Sequence, residues 1–112
     1  MTLSMRRIVI FTKAMPRMLA FYRDVLGLPL VKDEKSWKEL DANGCIIALH
    51  NGTSEVGKRP PKIGFWAEDI EAARTGLISR GAKVGKIIGE GLATRCEGKD
   101  PDGNPFYISV RE

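Results

Sequence analysis

Five side chains stand out as able to do chemistry: Arg7, His50, Lys62, Trp66 and Tyr107. His50 is the only histidine. Its ordinary titration lies near neutrality, so it could contact a ligand or move a proton; as a residue just before Asn51-Gly52 it also reads as a plain rim position. Arg7 and Lys62 could hold a carboxylate or phosphate, Arg7 with a two-pronged donor, or could simply pair with Glu39 and Glu97. Trp66 could stack on a planar ligand or fill a pocket floor, and Tyr107 could donate a hydrogen bond or pack. No Ser-His-Asp order, phosphate loop or zinc motif appears. Cys45 and Cys96 share no metal-ligand spacing and read as reduced cysteines in strands. No residue is assigned as catalytic, and no metal ligand is assigned.

The elements that must position these groups follow from periodicity and turn chemistry. Arg7 to Phe11 reads as a β-branched strand. A helix follows, with Pro16 in its first turn and an apolar stripe of Met15, Met18, Leu19, Tyr22, Val25 and Leu26. Gly27 and Pro29 stop it. Strands are expected at Leu28 to Asp33, Ser36 to Asp41 and Cys45 to His50, with Asn43-Gly44 as a hairpin turn. Asn51 to Pro61 has linker composition. The order then repeats. Lys62 to Ala67 is a strand, and Asp69 caps a helix carrying Ile70, Ala73, Leu77 and Ile78. Gly81 ends that helix. Val84 to Ile88, Leu92 to Glu97 and Phe106 to Val110 are strands, the last preceded by the Asp100-Pro101-Asp102-Gly103 turn.

Order and spacing both point to an internal duplication. The expected architecture is α+β: two tandem β-α-β-β-β modules forming a curled eight-stranded, mostly antiparallel sheet cup with two helices on the outer face. The modules run over about 5–52 and 61–112, with a linker at 53–60, in one domain. Period-two alternation gives each strand two faces. Ile8, Ile10, Ile47, Leu49, Ile63, Phe65, Phe106, Ile108 and Val110 make an apolar set suited to helix packing. Arg7, Val9, Phe11, Ile46, Ala48, His50, Lys62, Gly64, Trp66, Tyr107 and Ser109 make a mixed set suited to water or a ligand.

Composition limits the alternatives. The chain has 112 residues, enough for one domain, and no apolar run approaches the roughly 20 residues of a membrane span. No signal peptide is read at the N-terminus, and a cytoplasmic location is expected. The net charge is +4, but Lys and Arg are scattered among acidic residues, so nucleic acid is not expected as a partner. The charge favours an anionic ligand over a cationic one.

Three segments also carry a resemblance. Phe21-Tyr22-Arg23-Asp24-Val25-Leu26-Gly27-Leu28 comes first, then Glu68-Asp69-Ile70-Glu71-Ala72-Ala73 with Arg80-Gly81-Ala82, then Asp100-Pro101-Asp102-Gly103-Asn104. In this order the chain resembles the vicinal oxygen chelate superfamily, the glyoxalase / bleomycin resistance protein / dioxygenase fold. The resemblance implies paired modules, a sheet cup and a homodimer. It also implies, for the family's enzymes, a divalent metal held by His, Gln or Glu on the first and last strands of each module. The matching positions here are Arg7, Ala48, Lys62 and Tyr107. None is an ordinary divalent-metal ligand, and two cations beside such an ion repel it by several kcal/mol.

The expected function is therefore that of a metal-independent, cofactor-free member of this superfamily. It binds a small anionic or aromatic molecule in the cup through Arg7, His50, Lys62, Trp66 and Tyr107. Two alternatives stay open. One is a glyoxalase-like lyase or isomerase using His50 or Tyr107 as acid–base groups. The other is a protein-interaction subunit whose cup is filled by Trp66 and Phe11. The expected partners are the small molecule and a second copy of the chain, with no membrane and no nucleic acid.

Overall fold

The computed structural model describes residues 2–111. Between Glu55 and Val56 the chain divides into two compact units. The first unit contains β1 (Arg7–Thr12), α1 (Met15–Ala20), β2 (Leu30–Asp33), β3 (Trp37–Asp41) and β4 (Ile46–Asn51). Pro16 lies in the first turn of α1, where its missing N–H costs nothing. The helix then widens into a π turn over Phe21–Val25, with Leu26 N–H donating to the Phe21 carbonyl at 2.9 Å. β1 and β4 pair in parallel, while β4–β3 and β3–β2 are antiparallel, giving the sheet order β1-β4-β3-β2.

The second unit contains β5 (Ile63–Ala67), α2 (Ile70–Ser79), β6 (Arg95–Lys99) and β7 (Pro105–Val110). Asp69 caps α2 as expected, its carboxylate accepting from the Ala72 N–H at 3.0 Å. β5 and β7 are parallel and β7–β6 antiparallel, in the order β5-β7-β6. Each half thus joins its first and last strands in parallel. A parallel pair needs a long crossover, and the helix supplies it. α1 packs on β4, and α2 packs on β5 and β7.

The α+β reading holds, and the expectation of eight strands in one curled sheet does not. Seven strands lie in two mixed sheets of four and three among the described residues. The missing strand is Val84 to Ile88. It touches β6 at only two bridges, Val84 with Gly98 and Ile88 with Arg95. Gly85 lies inside the segment and Gly89 follows it at φ +87°, and pairing is confined to the two ends, so no continuous ladder forms. The strand expected over Leu92 to Glu97 begins later, at Arg95, because Gly91–Ala93 turns as a short 3₁₀ segment. Three of the five strand pairings are antiparallel.

Burial alternates along β1, β5 and β7, whereas β4 is buried on both faces from Ile46 to Leu49, so the expected open positions Ile46 and Ala48 are covered. In the first unit Ile10, Ile47, Leu49, Leu40, Met15, Met18 and Tyr22 are buried. In the second, Ile70, Leu77, Cys96, Phe106 and Ile108 are buried. Burial also raises the thiol pKa of Cys96, as fits a structural cysteine rather than a reactive one. Among the described residues no helix is long and apolar enough to cross a membrane.

Both hairpin turns are held by an aspartate. Asp41 accepts from the Asn43 N–H at 2.8 Å on an exposed turn. Asp100 is only 4% exposed and accepts from the N–H groups of Asp102 and Asn104 and from the Asn104 side-chain amide. Removing a buried acceptor strands its donors. Asp100→Ala should therefore cost about 1–3 kcal/mol, whereas Asp41→Ala should cost about 0.5 kcal/mol, as read from urea-denaturation midpoints. Equal losses at the two turns would count against this account.

Candidate functional site

The helix-free face of each sheet is ordered in cross-strand rows. In the first unit, Arg7, Val9 and Phe11 on β1 share that face with Ala48 and His50 on β4 and with Trp37 and Glu39 on β3. One row runs Phe11–His50–Trp37. Its rings touch: Phe11 and His50 centroids lie 5.4 Å apart, and Trp37 meets His50 edge-on at 5.3 Å. The next row runs Val9–Ala48–Glu39, and Ala48 is fully covered.

Glu39 organises this half of the face. Its side chain is 9% exposed and accepts from the Trp37 indole N–H at 2.8 Å. The Arg7 guanidinium lies 3.5 Å from the same carboxylate oxygen and 5.9 Å from the Trp37 ring centroid. The Trp37 hydrogen bond, aided by the charge of Arg7, holds the Glu39 pKa below the ordinary carboxylate value, against the opposing effect of burial.

In the second unit, Gly64 and Trp66 on β5 share the helix-free face with Tyr107 and Ser109 on β7 and with Arg95 and Glu97 on β6. The register makes the halves comparable. Gly64–Tyr107–Glu97 is the row that answers Val9–Ala48–Glu39, and Trp66–Ser109–Arg95 answers Phe11–His50–Trp37. The cation–glutamate pair is repeated too, because Lys62 Nζ lies 2.7 Å from the Glu97 carboxylate. That hydrogen bond, and then the charge of Lys62, lowers the Glu97 pKa.

Two open cavities flank Tyr107 and Ser109. One, of about 300 Å³, is lined by Lys62, Leu92, Arg95 and Glu97 beside those two residues. The other, of about 440 Å³, is lined by Gly64, Trp66 and Arg111 beside them. Trp66 is 54% exposed, and the Arg111 guanidinium sits 4.3 Å over its ring while also pairing with Glu68. Gly64 is needed for this surface. A Cβ there would come within 2.3 Å of the Tyr107 ring, so only glycine lets the phenol lie across β5.

The structure thus brings Arg7 and His50 together on the first face, and Lys62, Trp66 and Tyr107 together on the second. Arg7 and Lys62 are ion-paired rather than free. Arg95 and Ser109 were not among the expected site residues. The span read as a strand, Leu92 to Glu97, shows no apolar alternation that would face Arg95; pairing of β6 with β7 assigns it.

A superfamily metal does not fit the matching positions. Arg7 and Lys62 bring positive charge, and Ala48 has no donor. Among the described residues no group of three or more His, Cys, Asp or Glu side chains gathers in a way that could hold a metal ion.

Residues 4–108 match the family model of the Glyoxalase/Bleomycin resistance protein/Dioxygenase superfamily. The chain belongs to that superfamily. Solved structures share the fold at low identity. An antibiotic-binding protein, TnmS3, from Streptomyces sp. CB03234 is 18% identical with a TM-score of 0.81, over 100% of this chain and 99% of that one. A virulence protein, STM3117, from Salmonella typhimurium is 20% identical with a TM-score of 0.79, over 100% and 99%. A lactoylglutathione lyase from Agrobacterium tumefaciens is 16% identical with a TM-score of 0.77, over 97% and 94%. No curated protein matches the sequence.

The two glutamates give a pH signature. A carboxylate whose folded pKa lies below its unfolded value stabilises the fold above the unfolded value, and that contribution disappears as pH falls through the folded value. Glu39→Gln should therefore be less stable than the parent at neutral pH and converge with it in acid, when urea midpoints are followed down through the carboxylate range. Glu97→Gln should behave alike with a smaller amplitude, since its pair is more exposed. A constant difference at all pH values would contradict the ion-pair assignment.

Proposed function

We propose that this protein is a metal-independent small-molecule binder of the glyoxalase/bleomycin resistance superfamily. Its ligand is a planar aromatic molecule held on the helix-free face of the second sheet. The observation that carries the reading is Trp66: a large ring, 54% exposed, beside an open cavity whose far wall is Tyr107. The exposed indole offers ring surface to a flat ligand, and the Arg111 guanidinium already stacks over one of its faces. The antibiotic-binding role named for one structural relative supports the same reading.

The aromatic half of the expectation gains over the simple anionic one. Arg7 and Lys62, the cations first assigned to an anion, are each neutralised by a glutamate of their own unit. Binding is also favoured over turnover. A general base works best with a pKa near the operating pH, and both face glutamates are shifted the other way. His50 is occupied by ring contacts with Phe11 and Trp37.

Calorimetric titration with a panel of planar aromatic and size-matched aliphatic compounds tests the proposal. The aromatic compounds should bind and the aliphatic ones should not. Trp66→Ala should weaken aromatic binding at least about tenfold, from the loss of roughly 1–3 kcal/mol of stacking. Chelator should leave affinity unchanged. Binding that is lost in chelator and restored by a divalent ion would overturn metal independence. Unchanged affinity in Trp66→Ala would overturn the site.

A further inference from the structure

We propose that the ligand of the second sheet carries one oxyanion on its aromatic ring, and that Arg95 is the residue that reads that charge. The inference rests on the aromatic-binding reading above and adds the polar end of the molecule.

The row Trp66–Ser109–Arg95 crosses three neighbouring strands. Strands lie just under 5 Å apart, so Trp66 and Arg95 stand about 10 Å apart across Ser109, roughly the length of a fused bicyclic ring with one acidic substituent. The charges along this surface then decide what fits. Lys62 is paired with Glu97, and Arg111 is paired with Glu68. Arg95 differs: among the described residues it makes no ion pair, and its side chain donates only to the Ala93 carbonyl, at 3.0 Å.

That single hydrogen bond orients the guanidinium and leaves most of its donors for a ligand. The loop that provides it requires glycine at 89. A Cβ there would lie 2.3 Å from the Ala93 carbonyl oxygen and 3.0 Å from the Arg95 guanidinium, and the backbone sits at φ +87°. Ser109 and Tyr107 line the same cavity, while the Tyr107 phenol reaches across β5 towards Gly64 on the Trp66 side. A guanidinium beside a serine can hold a carboxylate or similar oxyanion. The single carboxylate on the cavity wall, Glu97, is already committed to Lys62. The corresponding row of the first unit lacks this arrangement, since Trp37 and His50 stand where Arg95 and Ser109 do.

The test compares 2-naphthoate with its neutral analogue 2-naphthamide by calorimetry on the full chain. The parent should bind naphthoate at least about tenfold more tightly than naphthamide, as a charge-assisted hydrogen bond allows. Arg95→Gln should bring the two to within about twofold of each other. Equal affinities in the parent would overturn the oxyanion and leave aromatic binding standing. A preference that survives Arg95→Gln would overturn the role of Arg95. Failure of both compounds to bind would sink the aromatic reading and this inference with it.

Discussion

Parallel pairing of the first and last strands is the constraint on which each half of this protein rests. β1 lies against β4, and β5 against β7, in matching direction. Parallel neighbours cannot be joined by a tight turn, so the chain must leave the sheet and return. In both halves it does so through a helix that covers one face and buries Met15 and Met18, or Ile70 and Leu77. The other face stays free of helices. Strand alternation sends Arg7, Phe11 and His50 to that side of the first sheet and Trp66 and Tyr107 to that side of the second.

The two halves have kept one element of that face and changed another. The kept element is a cation paired with a glutamate of the antiparallel neighbour strand, Arg7–Glu39 and Lys62–Glu97. The cations of these pairs, Arg7 and Lys62, are two of the positions that the resemblance matches to the superfamily's metal ligands, and each is balanced by a glutamate. The changed element is the adjacent row. In the first half it is Phe11–His50–Trp37, whose rings satisfy one another. In the second it is Trp66–Ser109–Arg95, with an open cavity on either side of Ser109. The first unit's face thus holds a self-contained aromatic cluster, and the second unit's face holds a surface with unspent donors.

Much of this was legible before any coordinates. Helix positions followed from the stripe Met15, Met18, Tyr22 and from Asp69 as a cap, since local periodicity and capping are properties of short segments. The face assignment of Ile8 to Phe11 and of Phe106 to Ser109 followed from alternation alone. Val84 to Ile88 was misread as a strand because its residue types suit one, while its glycines let the backbone leave the ladder after two bridges. The facing of Arg95 is illegible for a related reason: the span Leu92 to Glu97 begins in a 3₁₀ turn and shows no alternation to read.

By itself the sequence determined the order of the elements other than Val84 to Ile88, the helix positions and the residue types standing at Arg7, Ala48, Lys62 and Tyr107. Those conclusions depend on residue type and on short-range spacing. Tertiary structure alone decided which charges are spent. Lys62 and Glu97 are far apart in sequence, and only pairing through β7 brings them to 2.7 Å. The same register sets Arg95 beside Ser109, where its charge reaches Glu97 but forms no ion pair among the described residues, because strand register rather than composition decides which side chains become neighbours.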